Sequence, residues 1–153
     1  MRYLENRIPP PLVAIIFAGL MWLYAQPDWK VSLSAPWHMG IVLVVLLSGI
    51  AVCLAGLVSF RHARTTVNPL KPDTASALVS SGIYRYTRNP MYLGFAIALL
   101  AWAILLAAPL TLLGVAGFML YIDRFQIIAE ERALAALFGE RFALYRNRTR
   151  RWL

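Results

Sequence analysis

The groups of this chain best suited to chemistry lie in two short runs. One is Tyr84-Arg85-Tyr86-Thr87-Arg88-Asn89-Pro90, and the other is the adjacent carboxylates Glu130 and Glu131. Pro90 suits the first turn of a helix, where its missing N–H costs nothing. Backbone N–H groups at such a turn, flanked by Arg85 and Arg88, would grip a carboxylate or a phosphate. The same arginines would also serve as plain anchors against an anionic membrane surface. Ile127, Glu131, Leu134 and Phe138 follow one another at spacings of four, three and four, so Glu131 shares a largely apolar helix face. Neither Glu130 nor Glu131 has a basic residue three or four positions away to pair with on its own helix. A carboxylate buried on that face requires an arginine from elsewhere in the fold or a donor on a ligand. On a solvated face the same pair is ordinary polar surface.

Other chemistries find little support. Glycine-rich phosphate loops of the G-x-G-x-x-G or G-K-S/T kind are absent. His38 and His62 stand far apart in the sequence without a nearby set of Asp, Glu and Cys, so no metal centre is expected. No serine or cysteine has a histidine and a carboxylate close in sequence, and Cys53, flanked by Val52 and Leu54, reads as packing.

The elements that must position these groups are membrane helices. The chain is 60% apolar and 14% charged, far from the mix of a water-soluble domain. Eighteen residues from Ile8 to Ala25 and twenty-two from Met39 to Phe60 pass without a charge. The second can cross a hydrocarbon layer of about 30 Å, and the first is near the lower limit. A third uncharged stretch of thirty-four residues, Asn89 to Ile122, is interrupted by Pro109. Its length and its proline predict a tight helical hairpin, residues 91–108 and 110–125, with the last helix running on into a tail over 126–153. Gly139 is expected to stop or bend that tail. Gly19, Gly49 and Gly56 permit close helix approach. The reading is an all-α integral membrane protein of one domain, 1–153, with four crossings and a connector over 61–90.

Charge placement agrees with four crossings. With both ends cytoplasmic, fourteen of the fifteen Lys and Arg residues lie inside and only Lys30 lies outside, as the positive-inside rule requires. The net charge of +8 then reads as attraction to anionic lipids, not to nucleic acid. Trp22, Tyr24, Trp29 and Trp37 cluster where an interfacial aromatic belt belongs. A cleaved secretory signal is not expected, since the first span begins after three prolines and lacks a small-residue cleavage pattern.

The run Gly82, Tyr84, Arg88, Asn89, Pro90, Met91, Tyr92, Leu93, Gly94 resembles the R-H-P-x-Y-x-G region of isoprenylcysteine carboxyl methyltransferases and phospholipid N-methyltransferases. Glu130, Glu131 and Leu134, then Gly139, Phe142 and Tyr145, resemble the E-E-x-x-L and G-x-x-F/Y-x-x-Y continuation of that superfamily. The resemblance covers about residues 65 to 153 and implies a small bacterial-type methyltransferase of the inner membrane. The methyl donor would be S-adenosylmethionine, and the acceptor lipophilic or membrane-associated, with a carboxylate among the candidates. It implies that Tyr84, Arg88, Asn89, Pro90, Tyr92, Leu93, Gly94, Glu130 and Glu131 meet the cofactor, with Glu130 or Glu131 on its amino group and Arg88 or an arginine of the tail on its carboxylate. Arg85, Arg124 or Arg146 would orient the acceptor. The family commonly has histidine where this chain has Asn89, an amide that hydrogen-bonds but does not titrate. A nicotinamide-dependent, sterol-reductase-like enzyme and a noncatalytic membrane protein are the competing classes. Neither the acceptor atom, the choice between the two glutamates nor the oligomeric state is decided by the sequence.

Overall fold

A computed structural model describes residues 5, 7–25, 37–62 and 77–153. The described chain is helical, with one isolated bridge between Thr87 and Arg150 in place of any sheet. Five helices follow in order: α1 (Pro10–Tyr24), α2 (Trp37–His62), α3 (Pro90–Leu106), α4 (Leu112–Ile122) and α5 (Ile128–Arg148). Lys30, Trp29 and the turn-forming Asn68, Pro69, Pro72 and Asp73 lie outside the described residues.

Prolines begin α1 and α3, each in the first turn, where the backbone donors have no helical partner. Ala107 ends α3 in the left-handed region, φ 50°. Pro109 and Thr111 then turn the chain, with the Thr111 hydroxyl donating to the Ala108 carbonyl at 2.6 Å. The break therefore falls at the proline, as expected. From Pro109 a helical run extends to Arg148, interrupted at Gly139. A π-helical turn, Asp123–Ile127, carries α4 into α5. Gly139, at φ 49°, ψ −122°, is not helical, and α5 is two helical stretches that meet there at a kink.

Two helices are long and apolar enough to cross a membrane, Trp37–His62 and Pro109–Arg148. α1 and α3 are apolar but shorter. α2 turns Leu43, Val44, Leu47, Ile50, Leu54 and Val58 outward, an exposed apolar face that suits lipid and not water.

The core gathers Val13 and Met21 of α1, Tyr92, Ala96, Leu99 and Ala103 of α3, Phe118 and Ile122 of α4, and Ile127. Phe17 meets Phe118 edge to face, with ring centroids 6.1 Å apart, and Trp102 donates to the Ala18 carbonyl at 3.0 Å. α2 and α3 touch backbone to backbone. A Cβ at Gly49 would sit 2.8 Å from the Gly94 carbonyl oxygen and 3.1 Å from the Ala98 nitrogen. Gly49→Ala must therefore push two helices apart, and we expect it to cost about 1–3 kcal/mol. Thermal melting in detergent should drop accordingly, while Gly19→Ala, whose Cβ meets nothing within 4 Å, leaves the midpoint unchanged or slightly higher. Equal midpoints for Gly49→Ala and the native chain would refute the close approach.

Candidate functional site

The site forms where the segment before α3 meets α5 and the C-terminal residues. Gly82, at φ 60°, opens a short 3-10 turn to Arg85, and the space a side chain would need is taken by the Ser59 hydroxyl, 2.7 Å from its Cβ position. The turn buries Tyr84 edge-on to Phe60, with centroids 5.3 Å apart. The Tyr145 hydroxyl donates to the Tyr84 carbonyl at 2.8 Å, tying α5 to the turn. Burial raises the phenol pKa of both tyrosines.

Beyond the turn, the chain runs beside residues 149–151. The Arg88 amide donates to the Arg150 carbonyl at 3.0 Å, and the Asn89 side-chain amide donates to the Arg151 carbonyl at 2.9 Å. Thr87, buried, gives its hydroxyl to the same carbonyl and accepts from the Asn89 amide at 3.1 Å. Asn89 thus holds the C-terminal segment, a task of its amide that needs no titrating group.

The charged groups form one chain of contacts. Arg88 Nη2 meets Glu131 Oε1 at 2.8 Å, with the two side chains only 10% and 14% exposed. Its Nη1 donates to the carbonyls of Arg146 and Thr149. Arg151 completes Glu131, with Nη2 at 2.6 Å from Oε2 and Nε at 3.1 Å from Oε1, and its Nη1 bridges both oxygens of Asp123. Of the two expected partners of a buried Glu131, a distant arginine or a ligand donor, the fold supplies the arginine twice. Burial pushes the Glu131 pKa upward, but the hydrogen bonds and charges of Arg151 and Arg88 outweigh it and hold the group below the usual carboxylate range. The same pairing raises Arg151.

Glu130 is treated differently. Among the described residues its hydrogen-bond partner is the Tyr92 hydroxyl. Burial lifts its pKa to about 7, against a lowering hydrogen bond from Tyr92 and with a further rise from the charge of Glu131. Its neutral form is thus favoured well above the pH at which an exposed glutamate ionises.

The other expected residues separate. Pro90 and Leu93 are buried at the start of α3, and Gly94 faces α2, where a Cβ would meet Cys53 and the Gly49 carbonyl. Arg124 lies 3.6 Å from Glu5, with its guanidinium 5.7 Å from the Phe125 ring centroid, and Arg132 pairs with the same Glu5. Arg85 and Arg146 are exposed and enter the network through their carbonyls. Arg151 and Asp123 were not foreseen. Arg151 sits in an undistinguished basic run, and its position opposite Glu131 is a property of packing.

The phospholipid methyltransferase family matches residues 36–141, a span that contains both motifs. The chain belongs to that family. It is an S-adenosylmethionine-dependent membrane methyltransferase that acts on a lipophilic or membrane-associated acceptor. An uncharacterized protein of Haemophilus influenzae is 44% identical over 63 residues, 41% of this chain and the whole of that protein. Methanethiol S-methyltransferase 1 of Bradyrhizobium diazoefficiens is 30% identical over 131 residues, 84% of this chain. The methyltransferase described here spans 44% of that relative's length. No solved structure is significantly similar. Family membership together with two helices long and apolar enough to span makes this methyltransferase an integral membrane protein.

Proposed function

We propose that Tyr84, Arg88 to Gly94 and the Glu130, Glu131 pair form a cytoplasmic S-adenosylmethionine site, with the methyl passing to an acceptor that enters from the lipid. The reading rests on the unequal engagement of the polar groups. Glu131 is held by two arginines, whereas Glu130 has Tyr92 and Arg88 Nε is buried without an acceptor among the described residues. The zwitterionic end of a methionine would answer both, its ammonium suiting Glu130 and its carboxylate suiting Arg88 Nε. This donor and acceptor set therefore fits the cofactor. When bound, the cofactor supplies a methyl group already activated on a sulfonium sulfur.

The protein's own task is then alignment and exclusion of water more than strong base catalysis. Tyr92 fixes one oxygen of Glu130, and the ion pairs of Glu131 hold the segment before α3 against the tail. Glu130 is no spare base while it faces an ammonium, which favours acceptors that ionise readily, a thiol or a carboxylic acid, over a protonated amine. Of the three arginines expected to orient an anionic acceptor, Arg85 and Arg146 are exposed, and Arg124 is half-exposed beside Glu5. A thiol acceptor has a specific observation in its favour, the similarity to a methanethiol S-methyltransferase over 84% of the chain.

In the membrane, we assign four crossings within one domain of residues 1–153: α1, α2, α3 and the apolar part of the helix from Pro109. The 15 and 17 residues of α1 and α3 rise about 22 and 26 Å, short of a full hydrocarbon layer but adequate with local thinning. Both ends then face the cytoplasm of a bacterial inner membrane, where exposed Arg141, Arg148 and Arg150 lie near anionic headgroups.

Calorimetric titration of detergent-solubilised protein with S-adenosylmethionine, S-adenosylhomocysteine and NADPH tests the site. Saturable binding of both adenosyl ligands without NADPH is expected. Transfer of a labelled methyl group to a membrane lipid extract or to alkyl thiols then identifies the acceptor. Binding of NADPH alone would overturn the proposal.

A further inference from the structure

Residues 149–151 lie outside the two motifs, yet they bond to the site at several points. Thr149, Arg150 and Arg151 each give a carbonyl to the segment before α3: Thr149 to Arg88 Nη1, Arg150 to the Arg88 amide, and Arg151 to Asn89 and Thr87. The Arg151 side chain reaches in the other direction, onto Glu131 of α5 and Asp123 of the π-helical turn. Three chain segments distant in sequence are thus fastened through one residue.

We propose that Thr149–Arg151 is a clasp that sets the spacing between the two walls of the cofactor site, with Arg151 its positioning residue. The proposal rests on the cofactor site assigned above. Glu130 is covalently next to Glu131, and Arg88 Nε belongs to the guanidinium that Glu131 holds, so whatever fixes Glu131 fixes both groups offered to the methionine end. Arg151 binds both oxygens of Glu131, leaving it one orientation. A carboxylate held by Arg88 alone would be free to rotate, and residues 149–151, loosened between α5 and Trp152, which packs against the core, would have to be ordered each time the cofactor bound, which weakens binding. Lysine can replace the guanidinium only in part, because a single ammonium keeps the charge but lacks the planar fork that spans Glu131 and Asp123 together.

Arg151→Gln and Arg151→Lys in the full-length, detergent-solubilised protein test the clasp by two measurements. The first is calorimetric titration with S-adenosylhomocysteine, backed by steady-state kinetics. Arg151→Gln is expected to raise the dissociation constant and the KM for S-adenosylmethionine about tenfold, equivalent to 1.4 kcal/mol, with kcat changed far less. Arg151→Lys should recover part of that loss. The second is hydrogen exchange of the cofactor-free protein, in which the Arg88 amide, bonded to the Arg150 carbonyl, should exchange at least tenfold faster in Arg151→Gln while amides of α3 and α4 keep their rates. Unchanged affinity in Arg151→Gln overturns the proposal. So does a loss of kcat and of α3 and α4 protection together, which would mark Arg151 as a general support of the fold. Native protein that binds no adenosyl ligand overturns the cofactor site, and the clasp with it, a failure seen before any variant is made.

Discussion

Glu130→Gln is expected to weaken S-adenosylmethionine binding roughly a hundredfold, about 3 kcal/mol, the usual scale for neutralising one partner of a buried, hydrogen-bonded charge pair. The substitution keeps the shape and an acceptor for Tyr92, so the loss reports the charge. The pH dependence supplies a second signature. The folded-state pKa of Glu130 is raised to about 7 from an ordinary 4.5. Protonated Glu130 is thus favoured by the fold, and its contribution to stability is complete below about pH 4.5 and lost as the pH rises through about 7. Without cofactor the native protein should lose melting temperature across that window, and Glu130→Gln should not. Binding of an ammonium runs the other way, because it requires the carboxylate. Affinity should climb as the pH rises to about 7, level off, and decline once the cofactor's own amino group deprotonates near about 7.7–8.0. Calorimetry across that range measures both limbs. A Glu130→Gln protein that binds within threefold of native, or a flat native profile, would show that this carboxyl does not face the cofactor.

Glu131→Gln should act on stability first. Arg88 is only 10% exposed, and Glu131 is the carboxylate it pairs with among the described residues. Removing that charge leaves a buried guanidinium compensated by carbonyl oxygens alone, a change of about 3 kcal/mol at the lower end for broken buried pairs. For a chain of this size that corresponds to a fall of roughly 6–12 °C in melting temperature. Asp123→Asn is the contrasting case. Its pair with Arg151 is about a third exposed on both sides, and an exposed pair is worth less than about 1 kcal/mol. Thermal melts of the two variants side by side should therefore separate clearly. Similar small shifts in both would mean that the Arg88 and Glu131 pair is as well solvated as an ordinary surface bridge.

Several features were legible because they depend on neighbours in sequence. Uncharged stretches give apolar helices wherever they occur, since the backbone must satisfy itself in hydrocarbon. Pro109 removes a donor and turns the chain there. Gly139 tolerates a positive φ, and the kink falls on it, while the good helix formers on either side resume the helix beyond it. The π-helical turn at Asp123–Ile127 had no such signal. It contains no glycine or proline, and it accompanies the burial of Gln126, whose amide donates to the Ile8 carbonyl at 2.7 Å.

The sequence by itself determined the membrane class, the two motifs and the rule that a carboxylate buried on the apolar face of α5 needs a distant arginine or a donor on a ligand. Helical periodicity fixes which side of a helix a residue occupies, and composition fixes what that side can tolerate. Only the tertiary structure decided that Arg88 and Arg151 meet Glu131, while Arg124 turns to Glu5. It also decided that Glu130 has acceptor capacity to spare among the described residues, and that Asn89 holds the C-terminal segment. The physical reason is reach: Arg88 and Glu131 are 43 positions apart, and whether two such groups touch depends on how α3 and α5 are set against each other. That setting comes from shape, including the close approach of Gly49 to Gly94 and the burial of Phe118, Ile122 and Ile127, and no local pattern encodes it.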